Sequence, residues 1–125
     1  MVDECGLPVK LILTPGQASD KAAAAVIVEE LAAASIVVGD RGYDARALID
    51  QIEAKGGSAH IPTQRDRKQQ RSVAPEIYRQ RNLVERFFNK IKHFRRVATR
   101  FDKLAANFLA AVSLAATRLW LRSYE

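Results

Sequence analysis

Two acidic side chains stand out because their surroundings suit metal-assisted chemistry on phosphates. Asp40 directly follows the apolar run Ile36–Val38, and the carboxyl end of such a strand is where ligands bind in open α/β sheets. Glu85 is the single acid between Ile77 and Arg100, where every other charged residue is basic. We expect a carboxylate in such a basic field to stay ionised. It could hold a divalent cation while the neighbouring cations bind phosphate.

Both residues also have ordinary structural explanations. Asp40 could form a turn between two glycines, and Glu85 could pair with Arg81 and Asn89 on an exposed helix. The position of Asp44 just before a predicted helix favours a role as its cap over a chemical role. Taken alone, the structural explanation of Glu85 is the stronger one.

The helix predicted from Pro75 to Arg100 has two different faces. At about 100° per residue, one face gathers Glu85 and four other side chains within an arc of about 80°: Tyr78, Arg81, Phe88 and Lys92. The apolar residues fall on a separate stripe, which predicts packing against the rest of the fold: Leu83, Val84, Phe87, Ile91, Phe94, Ala98 and Phe101. On the first face Tyr78 could bond phosphate or stack on a displaced base, or pack beside Phe88.

The elements before that helix alternate between strand and helix patterns, which predicts an α/β fold with helices covering a sheet. In chain order we expect a strand Val9–Thr14, a helix from Lys21 to Ala34 capped by Ser19-Asp20, a buried strand Ser35–Asp40, a helix from Asp44 to Lys55 closed by Gly56-Gly57, and a strand Ser58–Pro62.

The rest of the chain is expected to be a loop and a second long helix. Residues 64–75 are polar and basic without periodicity, which predicts an exposed or mobile loop. Lys103–Leu121 carries an apolar stripe typical of a packed helix. No internal repeat or linker divides the 125 residues, so we expect one domain.

The charge is unevenly distributed along the chain. Residues 1–64 carry a net charge of −4, residues 65–103 carry +9, and the remainder adds +1. A basic stretch of this kind indicates nucleic-acid contact, although a solvated helix face has the same composition.

The sequence shows no apolar stretch of the roughly 20 residues that span a membrane. It also shows no secretory signal, and its one cysteine, Cys5, fits a reducing compartment. We therefore expect a cytoplasmic protein without membrane partners.

Two motifs taken together give Asp40 and Glu85 a more specific interpretation than either residue has alone. They are Gly39-Asp-Arg-Gly-Tyr-Asp44 and the spacing Tyr78-x2-Arg-x3-Glu-x6-Lys92. With the Gly6–Pro8 turn, the Leu13–Asp20 segment and Val84–Asn89, they resemble the DDE transposases of bacterial insertion sequences. The branch in question carries a Tyr-x2-Arg-x3-Glu-x6-Lys/Arg signature, and the resemblance covers essentially the whole chain.

The resemblance implies an RNase H-like catalytic core in which three carboxylates hold Mg²⁺ or Mn²⁺. The activity implied is cleavage and transfer of double-stranded DNA at the ends of the element. On this mapping Asp40 is the second carboxylate and Glu85 the third. The residues expected on DNA are Tyr78, Arg81, Arg86, Lys92, Arg95 and Arg96.

The first carboxylate of the family has no counterpart that we identify. It would lie on a strand upstream of the hairpin preceding Gly6–Pro8, and Asp3 has no strand pattern before it. We therefore expect an RNase H-like core without its first strand, followed by two long C-terminal helices. Val9–Thr14 and Ile36–Val38 should then pair directly or leave an exposed edge, which predicts a marginally stable chain.

Such a chain would be inactive alone, and its partners could be the missing N-terminal half or a full-length transposase. The alternative is a non-catalytic DNA-binding or interaction fragment. An unrelated RNase H-like nuclease would not explain the spacing from Tyr78 to Lys92, and we expect neither His60 nor His93 to bind metal.

Overall fold

The computed structural model describes residues 1–15, 19–94 and 105–125. They form a mixed α/β structure. In chain order the elements are α1 (Asp20–Glu30), β1 (Ile36–Val38), a first 3-10 turn (Arg41–Tyr43), α2 (Arg46–Ala54), β2 (Ser58–His60), α3 (Pro75–Tyr78), a second 3-10 turn (Arg79–Arg81), α4 (Asn82–Ile91) and α5 (Ala105–Ser123). The chain divides into a central unit, Thr14–Arg81, and a terminal unit that joins Met1–Leu13 to Asn82–Glu125.

The central unit is built around a parallel strand pair. β1 pairs with β2, with Ile36 opposite Ser58 and Val38 opposite His60, and α2 provides the crossover that parallel neighbours need. Because the strands are parallel, the residues that follow β1 and the residues that follow β2 emerge at the same edge. The predicted α/β architecture is confirmed in this form.

The core of the central unit lies between its helices and the segment after β2. It consists of five buried apolar side chains: Val28, Leu48, Ile49, Ile52 and Ile61. Ser19 caps α1 through its hydroxyl, which accepts a hydrogen bond from the Lys21 amide, as predicted. The first turn of α2 has no such side-chain cap, because its N-cap position is Ala45.

Gly57 lets the chain pass close to Ser35 and Ile52 where it enters β2. A Cβ at this position would lie 2.5 Å from the Ser35 carbonyl oxygen and 3.1 Å from Ile52 Cγ2. Real atoms do not approach so closely, so any larger residue would push the backbone before β1 away from the turn after α2.

The terminal unit packs α4 against α5. Phe87 and Ile91 on α4 form a buried cluster with Val112 and Ala115 on α5. The N-terminal turn belongs to the same unit, since the Trp120 indole nitrogen donates a 2.6 Å hydrogen bond to the Pro8 carbonyl.

The predicted strand Val9–Thr14 is wrong. These residues pair with no strand. The nearest bridge along the chain is an isolated antiparallel one between Val2 and Pro8. A strand needs a partner, and β1 pairs only with β2 among the described residues. Ile36 is 63% exposed and Val9 is 55% exposed. The first alternative, direct pairing of Val9–Thr14 with β1, is therefore excluded, and β1 is not the buried strand that its composition suggested.

The predicted helices differ from the observed ones in three places. α1 ends at Glu30 instead of Ala34, where Lys55 Nζ bonds the carbonyls of Val28 and Glu29. The helix predicted from Pro75 is interrupted by the second 3-10 turn, and α4 ends at Ile91. Residues 92–94 form a turn instead of the predicted helix, while the predicted continuation from residue 95 to Arg100 and the start of the next helix at Lys103 lie outside the described residues. None of the helices in the described ranges is both long and apolar enough to cross a membrane.

Candidate functional site

Asp40 stands exposed directly after β1, at the edge where the sequence places it. Its Oδ1 accepts a 2.8 Å hydrogen bond from the Gly42 amide, which caps the first 3-10 turn. A Cβ on Gly42 would come within 2.9 Å of that oxygen, so a larger residue there would require the Asp40 side chain to shift. The turn engages one carboxylate oxygen, and the second makes no hydrogen bond within the described part of the chain.

The pKa of Tyr43 responds to the negative charge of Asp40. Burial of its ring raises the pKa of the Tyr43 hydroxyl, and the negative charges of Asp20 and Asp40 raise it further. Two carboxylates, one beginning α1 and one following β1, thus act on the same side chain.

Asp44 is not the helix cap predicted from the sequence. Its side chain is fully buried and bonded by residues more distant along the chain. The Gln64 amide donates to Oδ2 at 2.8 Å, Arg67 Nε lies 3.2 Å from the same oxygen, and Arg71 Nη2 bonds Oδ1. Burial opposes ionisation, but the bonds from Arg71 and Gln64 and the two guanidinium charges hold the pKa of Asp44 below its ordinary value.

The loop after β2 is organised by this carboxylate. Arg71 also donates to the Ile61 carbonyl, and its amide donates to the hydroxyl of Thr63, which is buried. Gln70 closes the loop by donating to the carbonyls of Gln64 and Arg67. Residues 64–71 therefore form a bonded loop with an exposed rim, which confirms the predicted exposure.

Tyr78 and Arg81 belong to the central unit. Tyr78 ends α3 and Arg81 ends the second 3-10 turn, and both side chains are half-buried. The 3-10 turn advances each residue by a larger angle than an α-helix does. The angle of about 100° per residue assumed for Tyr78 through Lys92 therefore does not hold across this turn.

Glu85, Arg86 and Lys92 belong to the terminal unit, and all three are exposed. Phe87 and Ile91 on the same helix are buried. The predicted separation of α4 into a polar and an apolar face is thus confirmed by side-chain burial. Arg95 and Arg96 lie outside the described residues.

The predicted site residues are distributed over both units. Asp40, Tyr78 and Arg81 lie in the central unit, and the other described members lie in the terminal unit. Among residues 1–15, 19–94 and 105–125, no three or more His, Cys, Asp or Glu side chains group so that they could hold a metal ion.

The bonded set of Asp44, Arg67 and Arg71 was missed in the sequence. Its members are 23 and 27 residues apart, and no local pattern connects them. The usable signal was the pair of arginines four residues apart in a loop that follows a strand.

Comparison with known proteins supports the two motifs. A model of the family described as "Transposase DDE domain" matches residues 1–120. A protein of Brucella ovis named "Putative transposase for insertion sequence element IS6501" is 33% identical over 123 residues, covering 98% of this chain and 95% of that protein. No solved structure matches the chain. The match to the family extends over both Asp40 and Glu85, and the chain belongs to the DDE transposases of insertion sequences.

Proposed function

We propose that the chain serves metal-dependent cleavage and transfer of DNA strands for an insertion sequence in the bacterial nucleoid. Asp40 and Glu85 are two of the carboxylates that hold the metal. The observation that carries the proposal is the exposure of both carboxylates, one at the carboxyl end of β1 and one on the basic face of α4. A structural acid such as Asp44 is instead buried.

The donor chemistry of these residues fits a divalent cation. Mg²⁺ and Mn²⁺ take hard oxygen ligands, and Mg²⁺ is bound through few protein carboxylates together with substrate phosphates. Asp40 and Glu85 are carboxylates exposed to solvent, so phosphate oxygens can reach them. When bound, the metal supplies Lewis-acid activation of the attacking oxygen and stabilises the leaving oxygen.

The basic residues of the signature are proposed to bind the DNA backbone. Arg81 offers a bidentate contact to phosphate, whereas Lys92 and Arg86 add positive charge near Glu85 along the sequence. Tyr78 would donate a hydrogen bond to phosphate or stack on a displaced base. Arg95 and Arg96 extend the same basic sequence.

We further propose that residues 1–125 form part of an RNase H-like catalytic domain that does not cleave DNA by itself. Two carboxylates of a three-carboxylate signature are identified in them. The third would come from residues outside this sequence, such as those of an N-terminal half or a full-length transposase. The parallel β1–α2–β2 arrangement, with Asp40 following its first strand, supports this assignment of the fold.

The test is excision of a marked donor segment bounded by the DNA that flanks the gene. The chain is produced alone or with the product of the upstream coding DNA. We expect excision from the combination only, and a loss of more than about 100-fold on Asp40→Asn or Glu85→Gln. Asp50→Asn, an exposed acid on α2, is the matched control and should remain active. Excision that survives both site substitutions would overturn the carboxylate assignment, and excision by the chain alone would overturn the requirement for a partner.

A non-catalytic role is the second candidate, favoured by the exposed cations Arg86 and Lys90 on α4 and Lys92 directly after it. The chain would then bind element ends, or associate with full-length transposase and inhibit it. Salt-dependent DNA binding without excision in any combination would select this candidate, especially if Glu85→Gln left binding unchanged.

A further inference from the structure

The loop of residues 64–71 presents cations that its own structure does not use. Arg65 and Lys68 are exposed, and neither forms an ion pair or hydrogen bond within the described part of the chain. Arg67 and Arg71, in contrast, are committed to Asp44. The loop therefore separates into an anchored part and an outward cationic part.

The anchoring is strong for so short a segment. The fully buried Asp44 carboxylate receives a backbone amide and two guanidinium groups from the loop. The Asp44 carbonyl accepts further bonds from Arg67 and Lys21. Because these bonds fix the backbone at both ends of the loop, binding a ligand there costs little ordering entropy.

The loop also starts beside the proposed metal-binding carboxylate. β1 and β2 are parallel, so Asp40 and the residues after His60 leave the sheet at one edge. The Gly39 amide donates to the His60 carbonyl at 3.3 Å, and a Cβ on Gly39 would lie 3.4 Å from Ile61. The loop that carries Arg65 and Lys68 thus starts at the same end of the central unit as Asp40.

We propose that this loop binds the DNA backbone beside Asp40, with Arg65 and Lys68 on phosphates and Asp44 as the positioning residue. The inference rests on the proposed function, which makes DNA the substrate. Two exposed cations match phosphate oxygens and carry no base-specific arrangement, so the expected contact is independent of DNA sequence.

The first experiment measures binding of the full 125-residue chain to a fluorescent DNA duplex of arbitrary sequence over a range of salt concentrations. Each phosphate contact contributes about 0.9 to the slope of log affinity against log salt. Arg65→Gln/Lys68→Gln should therefore reduce the slope by about 1.8. The control Arg118→Gln/Arg122→Gln removes the same charge from exposed positions on α5. An equal change in the control would overturn the proposal, since net charge alone would then explain it.

The second experiment tests the positioning role of Asp44. Asp44→Asn should lower the salt slope toward that of the Arg65/Lys68 variant and speed tryptic cleavage after Arg65 and Lys68. Adding Arg65→Gln/Lys68→Gln to it should cause little further loss, because coupled residues are not additive. Full additivity would overturn the positioning role.

A charge-neutral variant covers the case in which Asp44→Asn does not fold. Thr63→Val removes the hydroxyl that accepts from the Arg71 amide without altering any charge. We expect it to weaken DNA binding and to lower the salt slope. An unchanged slope with faster proteolysis of the loop would overturn the link between loop order and phosphate contact.

The outcomes separate this inference from the proposed function. Excision that requires Asp40 and Glu85, combined with normal binding by the loop variants, would overturn the loop inference alone. Loop-dependent binding by a chain that never supports excision would support the loop inference and overturn the proposed function.

Discussion

Asp44 and Arg71 are 27 residues apart, yet their side chains form a direct hydrogen-bonded ion pair in which the carboxylate is fully buried. The Arg71 side chain remains 31% exposed, so the pair joins the interior of the central unit to its surface. The last acid of the Gly39–Asp44 motif therefore has a structural task, while the first, Asp40, is left exposed.

Asp44→Asn should destabilise the chain by about 2 kcal/mol. The substitution removes charge-assisted hydrogen bonds, each worth about 1.5–3 kcal/mol, and water reaching the two arginines limits the loss. Urea unfolding followed by circular dichroism measures it. Asp50→Asn breaks an exposed pair with Arg46 and should cost less than about 1 kcal/mol. Equal losses from both substitutions would contradict the importance of burial at Asp44.

Stability should fall in acid through the same carboxyl. Its pKa is lowered in the folded chain, so the native state binds the proton more weakly than the unfolded state, whose pKa is about 3.9. The stabilisation is therefore complete above that value and is lost as the pH falls through the native pKa. Urea unfolding of the wild type and Asp44→Asn from neutral pH into acid should show their difference shrinking. A constant difference would refute the linkage.

Asp40→Asn should lower the pKa of Tyr43 without returning it to the ordinary value. Burial and the charge of Asp20 also raise this pKa, and both remain in the variant. Tyrosinate absorbance during alkaline titration reports the change, with Tyr43→Phe identifying the signal among the three tyrosines. Asp50→Asn serves as the charge-matched control. An unaltered Tyr43 titration in Asp40→Asn would show that the two side chains are not close.

Gly57→Ala should cost about 1–3 kcal/mol of unfolding free energy, in the range of overpacked interiors. The added methyl would collide with the backbone oxygen of Ser35 and with Ile52. Urea denaturation measures the loss, and Ser58→Ala at the neighbouring exposed position is the control. A variant as stable as the parent would mean that Gly57 does not lie as close to Ser35 and Ile52 as the structure shows.

The parts of the fold that depend on neighbouring residues could be predicted from the sequence. The Ser19 cap, β1, β2 and the two faces of α4 follow from short-range patterns of capping, branching and periodicity. The family motifs directed attention to Asp40 and Glu85, and the structure leaves both exposed.

The parts that depend on distant partners could not be predicted. Val9–Thr14 has a strand-like composition, but a strand forms only where another strand can pair with it. Asp44 has the sequence context of a helix cap, but its oxygens instead bind two arginines far along the chain. The second 3-10 turn likewise has no marker in the apolar periodicity around Arg81.

The hydrogen bond from Trp120 to Pro8 also has a consequence for how the chain is made. The central unit is one continuous stretch of sequence, Thr14–Arg81, so its internal contacts need no residue after Arg81. The terminal unit joins Met1–Leu13 to α5, so it can be assembled only after α5 has been synthesised. A frameshift late in the gene would therefore leave the strand pair and Asp40 in place while removing the support of the helix that carries Glu85.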